Sequence, residues 1–195
     1  MPSQSETKGK LVVISGPSGV GKGTICSEVA KRLENVYISV SATTRPKAAA
    51  EVNGRDYWFV TRQEFQQLID GNNLLEYAEV FDNFYGTPAY KVKKALDAGK
   101  TVILEIDVQG GLKIKQKHPE AVLIFILPPD KQELAKRIGG RGRDEAKEAQ
   151  KRLNFADRET EEAKKFYEYM VVNDNLEKAV KQVIKIIEQN NGAKE

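Results

Sequence analysis

A glycine-rich segment near the N-terminus constrains the fold of this chain more than any other feature. Between an apolar run and a helix-like segment stands Gly16-Pro17-Ser18-Gly19-Val20-Gly21-Lys22-Gly23-Thr24. Such glycines let consecutive backbone N–H groups point into one concavity, and the start of a helix adds positive electrostatic potential. Lys22 adds a cation that can reach a terminal phosphate. The segment therefore predicts a strand, a loop that binds the phosphates of a nucleoside triphosphate, and a helix; a glycine-rich turn without a ligand is the alternative.

The hydroxyl group of this loop is displaced by one position. A Ser or Thr usually follows the lysine directly, but here Gly23 does, and the hydroxyl comes next at Thr24. Nucleoside monophosphate kinases often show this pattern. Thr24 is therefore the expected hydroxyl for phosphate or for a water bound to Mg²⁺.

Length and composition limit the remaining possibilities. The 195 residues suffice for one α/β domain with small insertions. The longest apolar run is too short to span a bilayer, and a net charge of +3 is too small to indicate nucleic-acid or membrane binding. The single cysteine, Cys26, excludes a disulfide within the chain and fits a reducing compartment. We therefore expect a cytoplasmic protein with small-molecule substrates.

Strand-like and helix-like segments alternate along much of the chain. The runs typical of buried parallel strands are 11–15, 101–107, 122–127 and 169–172. The helix-like segments are 22–33, 91–98, 130–137, 145–167 and 176–189. This alternation predicts an α/β fold whose central parallel sheet is flanked by helices, with ligands beyond the carboxyl ends of the strands.

Two segments interrupt the alternation. The first contains short β-like pieces at 37–41, 57–60 and 75–80 and a helical piece at 63–70, a pattern typical of a small α+β lobe. The second is rich in Gly and Arg. The predicted organisation is a single domain divided into core 1–39, lobe 40–90, core 91–136, lid 137–154 and core 155–195.

Several further motifs, in one order along the chain, resemble guanylate kinases. They are Ser39-Val40-Ser41-Ala42-Thr43-Thr44-Arg45, Glu51-Val52-Asn53-Gly54-Arg55-Asp56-Tyr57, Leu75-Glu76-Tyr77-Ala78, Phe84-Tyr85-Gly86-Thr87, Leu104-Glu105-Ile106-Asp107-Val108-Gln109-Gly110, Arg137-Ile138-Gly139-Gly140-Arg141-Gly142 and Val172-Asn173-Asp174. The resemblance covers nearly the whole chain with matching spacing. It implies a P-loop NTPase core with a GMP-binding lobe and an arginine-rich helical lid. It also implies transfer of the γ-phosphoryl group of ATP to GMP, and to dGMP.

The resemblance implies a guanine site whose residue types suit the base. Guanine offers donors at N1–H and the N2 amino group, for which Glu76 and Asp107 are the matching acceptors, and an acceptor at O6, for which Ser41 and Thr87 are matching donors. Adenine would leave both carboxylates unpaired, which can favour guanine by about 10⁴. Taken singly, Glu76 also fits a solvated surface charge and the two hydroxyls fit turns. The order in which these residues occur together along the chain favours the guanine site.

The same resemblance assigns Arg45, Tyr57 and Tyr85 to the phosphate of GMP, although each tyrosine alone also fits ordinary packing.

The sequence departs from the family three residues after Arg45. Relatives usually carry a second phosphate-binding arginine there, and this chain has Ala48. Lys47 lacks the bidentate geometry of arginine. We therefore expect weaker GMP binding than in a typical relative.

Three arginines match family positions that reach the triphosphate when a lid closes: Arg137, Arg141 and Arg152, the last also directed at GMP. Such arginines stabilise the charge of the transferring phosphoryl group, and closure excludes water. The phosphate of GMP is itself an anionic nucleophile, so the reaction requires no general base. The resemblance places Asn173 against the adenine of ATP.

Mg²⁺ is the expected cofactor, bridging the β- and γ-phosphates with few direct protein ligands. Thr24, Glu105 and Asp107 are the candidates to hold it, mostly through water. Glu105 and Asp107 end a predicted strand two residues apart, so they should project to the same side. The Asp107 carboxylate cannot bind both the metal and guanine fully, and we favour its role in binding guanine.

Two other functions remain open on the sequence alone. Guanylate-kinase-like modules of scaffolding proteins bind protein ligands instead of nucleotides, but usually have degraded phosphate loops. Here Lys22, the loop glycines and the lid arginines are intact, which favours an enzyme. A kinase for another nucleoside monophosphate is the second alternative. The oligomeric state is not indicated.

Overall fold

The structure, a computed structural model, describes residues 9–139 and 146–190. The strands are β1 (Lys10–Ser15), β2 (Val36–Ile38), β3 (Ala42–Thr43), β4 (Trp58–Phe59), β5 (Leu74–Val80), β6 (Asn83–Pro88), β7 (Thr101–Glu105), β8 (Val122–Leu127) and β9 (Tyr169–Val172). The helices are α1 (Lys22–Arg32), α2 (Arg62–Asp70), α3 (Ala89–Asp97), α4 (Val108–Lys117), α5 (Lys131–Gly139), α6 (Ala146–Phe166) and α7 (Leu176–Gln189). No helix within these described ranges has both the length and the apolar character needed to cross a bilayer.

The central sheet has the strand order β2-β7-β1-β8-β9, and each pair is parallel. Val12 and Ile14 pack with residues of α1 and α7, whereas Leu11 and Val13 pack with residues of α3, α4 and the end of α6. Both faces of β1 are therefore buried, which explains its continuous apolar run. The predicted α/β fold with a parallel sheet flanked by helices is confirmed.

A second, smaller sheet lies within residues 42–88 and has the order β4-β3-β6-β5. Its pairs are mixed, because β3 is parallel to β4 while β6 is antiparallel to both β3 and β5. The helix α2 begins at a capping box formed by Thr61 and Glu64. Phe65 of that helix is fully buried and stacks on Phe84 at 5.4 Å between ring centroids. This sheet and helix form a separate small core that supports the residues predicted to bind GMP.

Strand β6 and the turn before it were not predicted. The turn residues Phe81 and Asp82 both have positive φ, 49° and 60°. Two-residue hairpins of this kind normally carry Asn-Gly or Asp-Gly, so the sequence lacked the usual signal. The short piece 37–41 was also grouped with the lobe, but the strand found there, β2, pairs with β7 in the central sheet.

Helix α4 was missed, and the strand before it was predicted two residues too long. β7 ends at Glu105, and Asp107 instead caps α4, its carboxylate accepting a hydrogen bond from the Gly110 N–H at 3.0 Å. Two glycines in the first turn of α4 lower its helix propensity, which obscured it in the sequence. Asp107 therefore belongs to a helix start and not to a strand.

Candidate active site

The glycine-rich loop joins β1 to α1 as predicted. Gly21 stands immediately before the helix with φ of 100°, in the left-handed region that favours glycine. A Cβ at this position would also lie only 2.7 Å from Nδ2 of Asn173. The ammonium of Lys22 donates hydrogen bonds to the carbonyl oxygens of Gly16 at 2.6 Å and Pro17 at 3.2 Å. The lysine is thus held across the loop that precedes its own helix.

Two residues predicted to bind ATP meet at the back of this loop. Asn173, which is buried, donates a hydrogen bond from Nδ2 to the Val20 carbonyl oxygen at 2.8 Å. The Nη1 of Arg137 lies 3.5 Å from the same oxygen, and its Nε pairs with Glu133 at 3.0 Å. In this structure both side chains therefore support the shape of the loop.

The residues predicted for guanine include a buried carboxyl–hydroxyl pair. Thr87 Oγ1 donates a hydrogen bond to Glu76 Oε1 at 2.7 Å, and Glu76 is only 4% exposed. Burial raises the pKa of Glu76 to about 7; the charge of Asp107 acts in the same direction, while Thr87 and Lys113 oppose it. A Cβ on Gly110 would lie 2.7 Å from Glu76 Oε2. The fold thus brings Glu76, Thr87 and the start of α4 together.

Ser41 belongs to the same region. It is buried, and its carbonyl oxygen accepts a hydrogen bond from the Trp58 N–H at 2.8 Å. The antiparallel register pairs Ala42 with Gly86. Continuing that register by one residue puts Ser41 opposite Thr87, so both hydroxyl-bearing residues occupy neighbouring positions in the small sheet.

The residues predicted for the GMP phosphate also lie together. The Arg45 guanidinium lies 4.8 Å from the centre of the Tyr57 ring, and Tyr57 and Tyr85 meet edge to face at 6.0 Å. Burial raises the pKa of Tyr57 to about 12. Glu51, which the sequence reasoning did not select, accepts two hydrogen bonds from Arg45 at 2.8 and 2.5 Å and raises the pKa of Arg45. This fork-to-fork pairing holds the guanidinium in place.

Ala48 lies beside this ion pair. Its N–H donates to Glu51 Oε2 at 2.8 Å. The ammonium of Lys47 donates to the backbone carbonyl of Glu51 at 3.0 Å and lies 3.4 Å from that of Ala48. Position 48 is therefore close enough to Arg45 and Glu51 for a longer basic side chain to reach the same place.

Glu105 lies between the phosphate loop and the smaller sheet. A Cβ on Gly23 would lie 3.4 Å from Glu105 Oε2, and the charge of Glu105 contributes to the raised pKa of Tyr57. The exposed Thr24 follows Gly23 in the first turn of α1. Hydroxyl and carboxylate oxygens are hard ligands that suit Mg²⁺, so these residues fit the expected metal. The expectation that Asp107 projects from the same strand as Glu105 is wrong, because the strand ends before it.

The predicted lid residues are only partly described. Arg141 lies outside the described residues. The guanidinium of Arg152, on α6, lies 5.9 Å from the ring centre of Phe81, and Phe81 packs on Phe155 of the same helix at 5.1 Å. In this structure α6 therefore contacts the tip of the β5–β6 hairpin.

One buried acid on α6 was missed altogether. Glu159 is 8% exposed, and burial raises its pKa to about 7; Lys22 lowers that pKa and Asp107 raises it. The Val108 N–H also acts to lower the pKa of Glu159. The sequence carried a weak signal, since Glu159 shares the buried face of the helix with Ala156 and Ala163. A carboxyl group on an otherwise apolar helix face needs a polar partner, because burying it without one lowers stability.

Comparison with known proteins agrees with this geometry. The family model for guanylate kinase matches residues 8–190. A guanylate kinase of Clostridium perfringens is 50% identical over 93% of this chain and 84% of its own length. One of Synechocystis is 46% identical over 95% and 97%. The crystal structure of guanylate kinase from Anaplasma phagocytophilum superposes with a TM-score of 0.81 at 34% identity, covering 96% of this chain and 89% of that one.

Sequence, fold and the clustering of the predicted nucleotide-binding residues thus agree. The match extends across both sheets and the phosphate loop, and the relatives are matched over most of their own length. The chain is an enzyme, and it belongs to the guanylate kinase family.

Proposed function

We propose that the site transfers the γ-phosphoryl group of ATP to GMP, giving ADP and GDP, with ATP on the loop before α1 and GMP on the smaller sheet. The observation that carries this proposal is the buried Glu76 carboxyl group bonded to Thr87. A carboxylate is costly to bury without partners. Guanine supplies two donors, and the neighbouring hydroxyls suit its O6.

In the acceptor site, Glu76 and Asp107 accept hydrogen bonds from guanine N1–H and N2, while Ser41 and Thr87 face O6. In the structure Thr87 donates its one hydroxyl hydrogen to Glu76, so donation to guanine O6 requires this hydroxyl to turn from Glu76 to the base. Adenine presents the reverse pattern and would leave the carboxylates without partners, so it should be rejected strongly.

Arg45, Tyr57 and Tyr85 bind the phosphate of GMP. In the structure Arg45 is paired with Glu51, which holds the guanidinium against Tyr57. Arginine binds phosphate and carboxylate with the same bidentate geometry. The bound phosphate is an anionic nucleophile, so orientation and charge stabilisation carry the reaction and no general base is needed.

On the donor side, the loop 16–24 surrounds the phosphates and Lys22 turns from its own loop carbonyls towards them. Arg137, Arg141 and Arg152 approach when the lid closes and stabilise negative charge on the transferring group. Asn173 lies beside the loop, which is consistent with a place next to the adenine.

Mg²⁺ is the proposed cofactor, held through water by Thr24 and Glu105, with Asp107 committed to guanine. When bound with ATP it neutralises phosphate charge. The oxygen donors near the loop support this choice.

We also propose a cytoplasmic location, supported by the single cysteine, Cys26, which is buried.

A coupled assay of ADP release tests the proposal directly. The enzyme is supplied with ATP·Mg²⁺ and, separately, with GMP, dGMP, AMP, UMP and CMP. Turnover with GMP, and with dGMP, is expected, with little for the other bases. No turnover with GMP would refute the proposed reaction, and a preference for another base would refute the role of Glu76.

A further inference from the structure

Two buried hydroxyl groups link the strand that precedes the phosphate loop to the start of α4. The hydroxyl of Tyr167 donates a hydrogen bond to Ser15 Oγ at 2.7 Å, and Ser15 Oγ donates to the carbonyl oxygen of Asp107 at 3.3 Å. Ser15 is 0% exposed and Tyr167 is 6% exposed. Burial raises the pKa of Tyr167, so its hydroxyl stays protonated and acts as the first donor of the chain. Hydrogen bonds in such a chain polarise and strengthen one another.

Both ends of this hydrogen-bond chain are held by their surroundings. The ring of Tyr167 meets Phe125 of β8 edge to face, with 5.7 Å between the centroids. The Tyr167 hydroxyl lies against the first turn of α4, because a Cβ on Gly111 would overlap it. At the other end, the Asp107 carbonyl oxygen also accepts a hydrogen bond from the Gly111 N–H at 3.0 Å. Tyr167 and Ser15 therefore fix the first turn of α4 against β1.

The side chain of Ser15 bridges the two strands beyond the end of their backbone pairing. The parallel pairing of β1 with β7 runs to Ile14 opposite Glu105. Past this point the Ser15 hydroxyl bonds to the Asp107 carbonyl oxygen. Ser15 directly precedes Gly16, the first residue of the phosphate loop, and the carboxylate of Asp107 belongs to the proposed guanine site. One hydroxyl group therefore connects the proposed ATP side with the proposed GMP side.

The relative position of the two bound nucleotides affects phosphoryl transfer more than it affects binding. Each nucleotide is expected to bind through groups on its own side of the site, so a small shift between the sides leaves those contacts in place. Transfer requires an oxygen of the GMP phosphate to lie in line with the γ-phosphoryl group and close to it. A displacement of about 1 Å can slow such a reaction by about 10². A contact that fixes α4 relative to β1 therefore acts on the transfer step.

We infer that Tyr167 and Ser15 are a pair of positioning residues that set the distance between the phosphate loop and the guanine-binding end of α4. The inference rests on the proposed transfer from ATP to GMP and on the proposed contact between Asp107 and guanine. In the competing explanation, Ser15 only supports the shape of the phosphate loop, and its loss weakens ATP binding.

The test measures the rate of phosphoryl transfer in single-turnover rapid-quench experiments, together with KM for ATP and KM for GMP. Tyr167→Phe removes the first hydroxyl and keeps the ring, and Ser15→Ala removes the second hydroxyl. Tyr169→Phe is the matched control. It makes the same change at the start of β9, where the Tyr169 hydroxyl accepts a hydrogen bond from Asn190 at 3.0 Å, at the end of the strand away from the ligands.

Tyr167→Phe and Ser15→Ala are each expected to slow the transfer step about fivefold and to change both KM values by less than about twofold. The double variant should be about as slow as the slower single variant, because both residues act through one chain of hydrogen bonds. Tyr169→Phe should transfer at the rate of the parent enzyme. Thermal unfolding measures the stability that each variant loses, and a loss of stability alone does not slow transfer well below the unfolding midpoint.

An unchanged transfer rate in folded Tyr167→Phe or folded Ser15→Ala overturns the inference, as does an increase in KM for ATP that accounts for the whole loss of activity. A double variant slowed by the product of the two single effects, or equal slowing in Tyr169→Phe, also overturns it. If one of the two variants does not fold, the other decides by the same criterion. Absence of turnover with GMP in the parent enzyme refutes the proposed function itself, whereas turnover in the parent enzyme with equal rates in the variants refutes only the inference.

Discussion

The phosphate loop and the acceptor site are built in opposite ways. The loop is one continuous segment whose backbone N–H groups and single lysine form the proposed binding surface, and Lys22 bonds to carbonyls only five and six residues away. The acceptor site is assembled from several segments, and its central pair joins Glu76 of β5 to Thr87 of β6 in the interior. A local site depends on backbone conformation, whereas a dispersed site depends on the packing of a small separate core.

The largest effect is expected on the local side, from Lys22→Ala. Removing the one cation of the loop should lower kcat/KM by about 10³, because the charge that stabilises the transferring phosphoryl group is lost. The fold should persist, since the bonds of Lys22 involve only its own loop. Steady-state kinetics and thermal unfolding measure both.

The matched control for this variant is Lys31→Ala, which removes an exposed lysine of the same helix that pairs with Glu28. It should leave turnover unchanged. Substantial remaining activity in Lys22→Ala, with normal activity in the control, would contradict the assigned role.

The second largest effect is expected on the dispersed side, from Glu76→Gln. The new amide directs a donor at guanine donors and disturbs the bond to Thr87, so kcat/KM for GMP should fall by about 10². KM for ATP should remain near that of the parent enzyme. Glu79→Gln, an exposed change on the same strand, is the control and should have no effect. Equal losses for both nucleotides would show that Glu76 supports the fold and does not recognise the base.

A smaller effect concerns the pH dependence of KM for GMP, a property of the acceptor site. Burial raises the pKa of Glu76 to about 7, so the carboxyl group is neutral below that pH and ionised above it. Only the ionised form offers both oxygens as acceptors to guanine. KM for GMP should therefore rise about tenfold as the pH falls from about 8 to about 6.

The variant Glu76→Gln tests the origin of that change, because it lacks the titrating group. Its KM for GMP should be nearly constant over the same pH range. An equal pH dependence in the variant and the parent enzyme would assign the effect to another group.

The smallest effect is expected at the position where the chain departs from its family. Ala48→Arg places a second cation beside Arg45 and Glu51, and it should lower KM for GMP about fivefold through an additional charge-assisted contact with phosphate. Ala48→Lys is the comparison, and it should be less effective because lysine cannot bind in the bidentate manner. If KM does not change in Ala48→Arg, the expected weakness of the acceptor site has no basis at this position.

The sequence predicted elements well where periodicity was strong and poorly where local signals were weak. Strands β8 and β9 and helix α7 agree residue for residue with the prediction. Helix α4 was missed because Gly110 and Gly111 lie in its first half, where they allow close approach of Glu76 and Tyr167. Strand β6 was missed because its turn is formed by Phe81 and Asp82 in an unusual conformation for those residues.

The candidate residues show the same difference between strong and weak local signals. Lys22 and the loop glycines could be assigned from spacing alone, since their function follows from a continuous stretch of backbone. Glu51 and Glu159 could not, because their importance depends on contacts that form only in the folded chain: the ion pair with Arg45 for the first, and burial of the carboxyl group for the second.

By itself, the sequence determined the phosphate loop, the parallel sheet and the resemblance to guanylate kinases. Apolar strand runs, glycine spacing and motif order can each be identified from residues that are close together in the chain. Only the tertiary structure decided that Glu76 is buried against Thr87, that Glu51 holds Arg45, and that Asp107 starts a helix and does not end a strand. Burial and the hydrogen bonds that form in the folded chain set those states. They depend on which conformation and which neighbours each side chain has after folding.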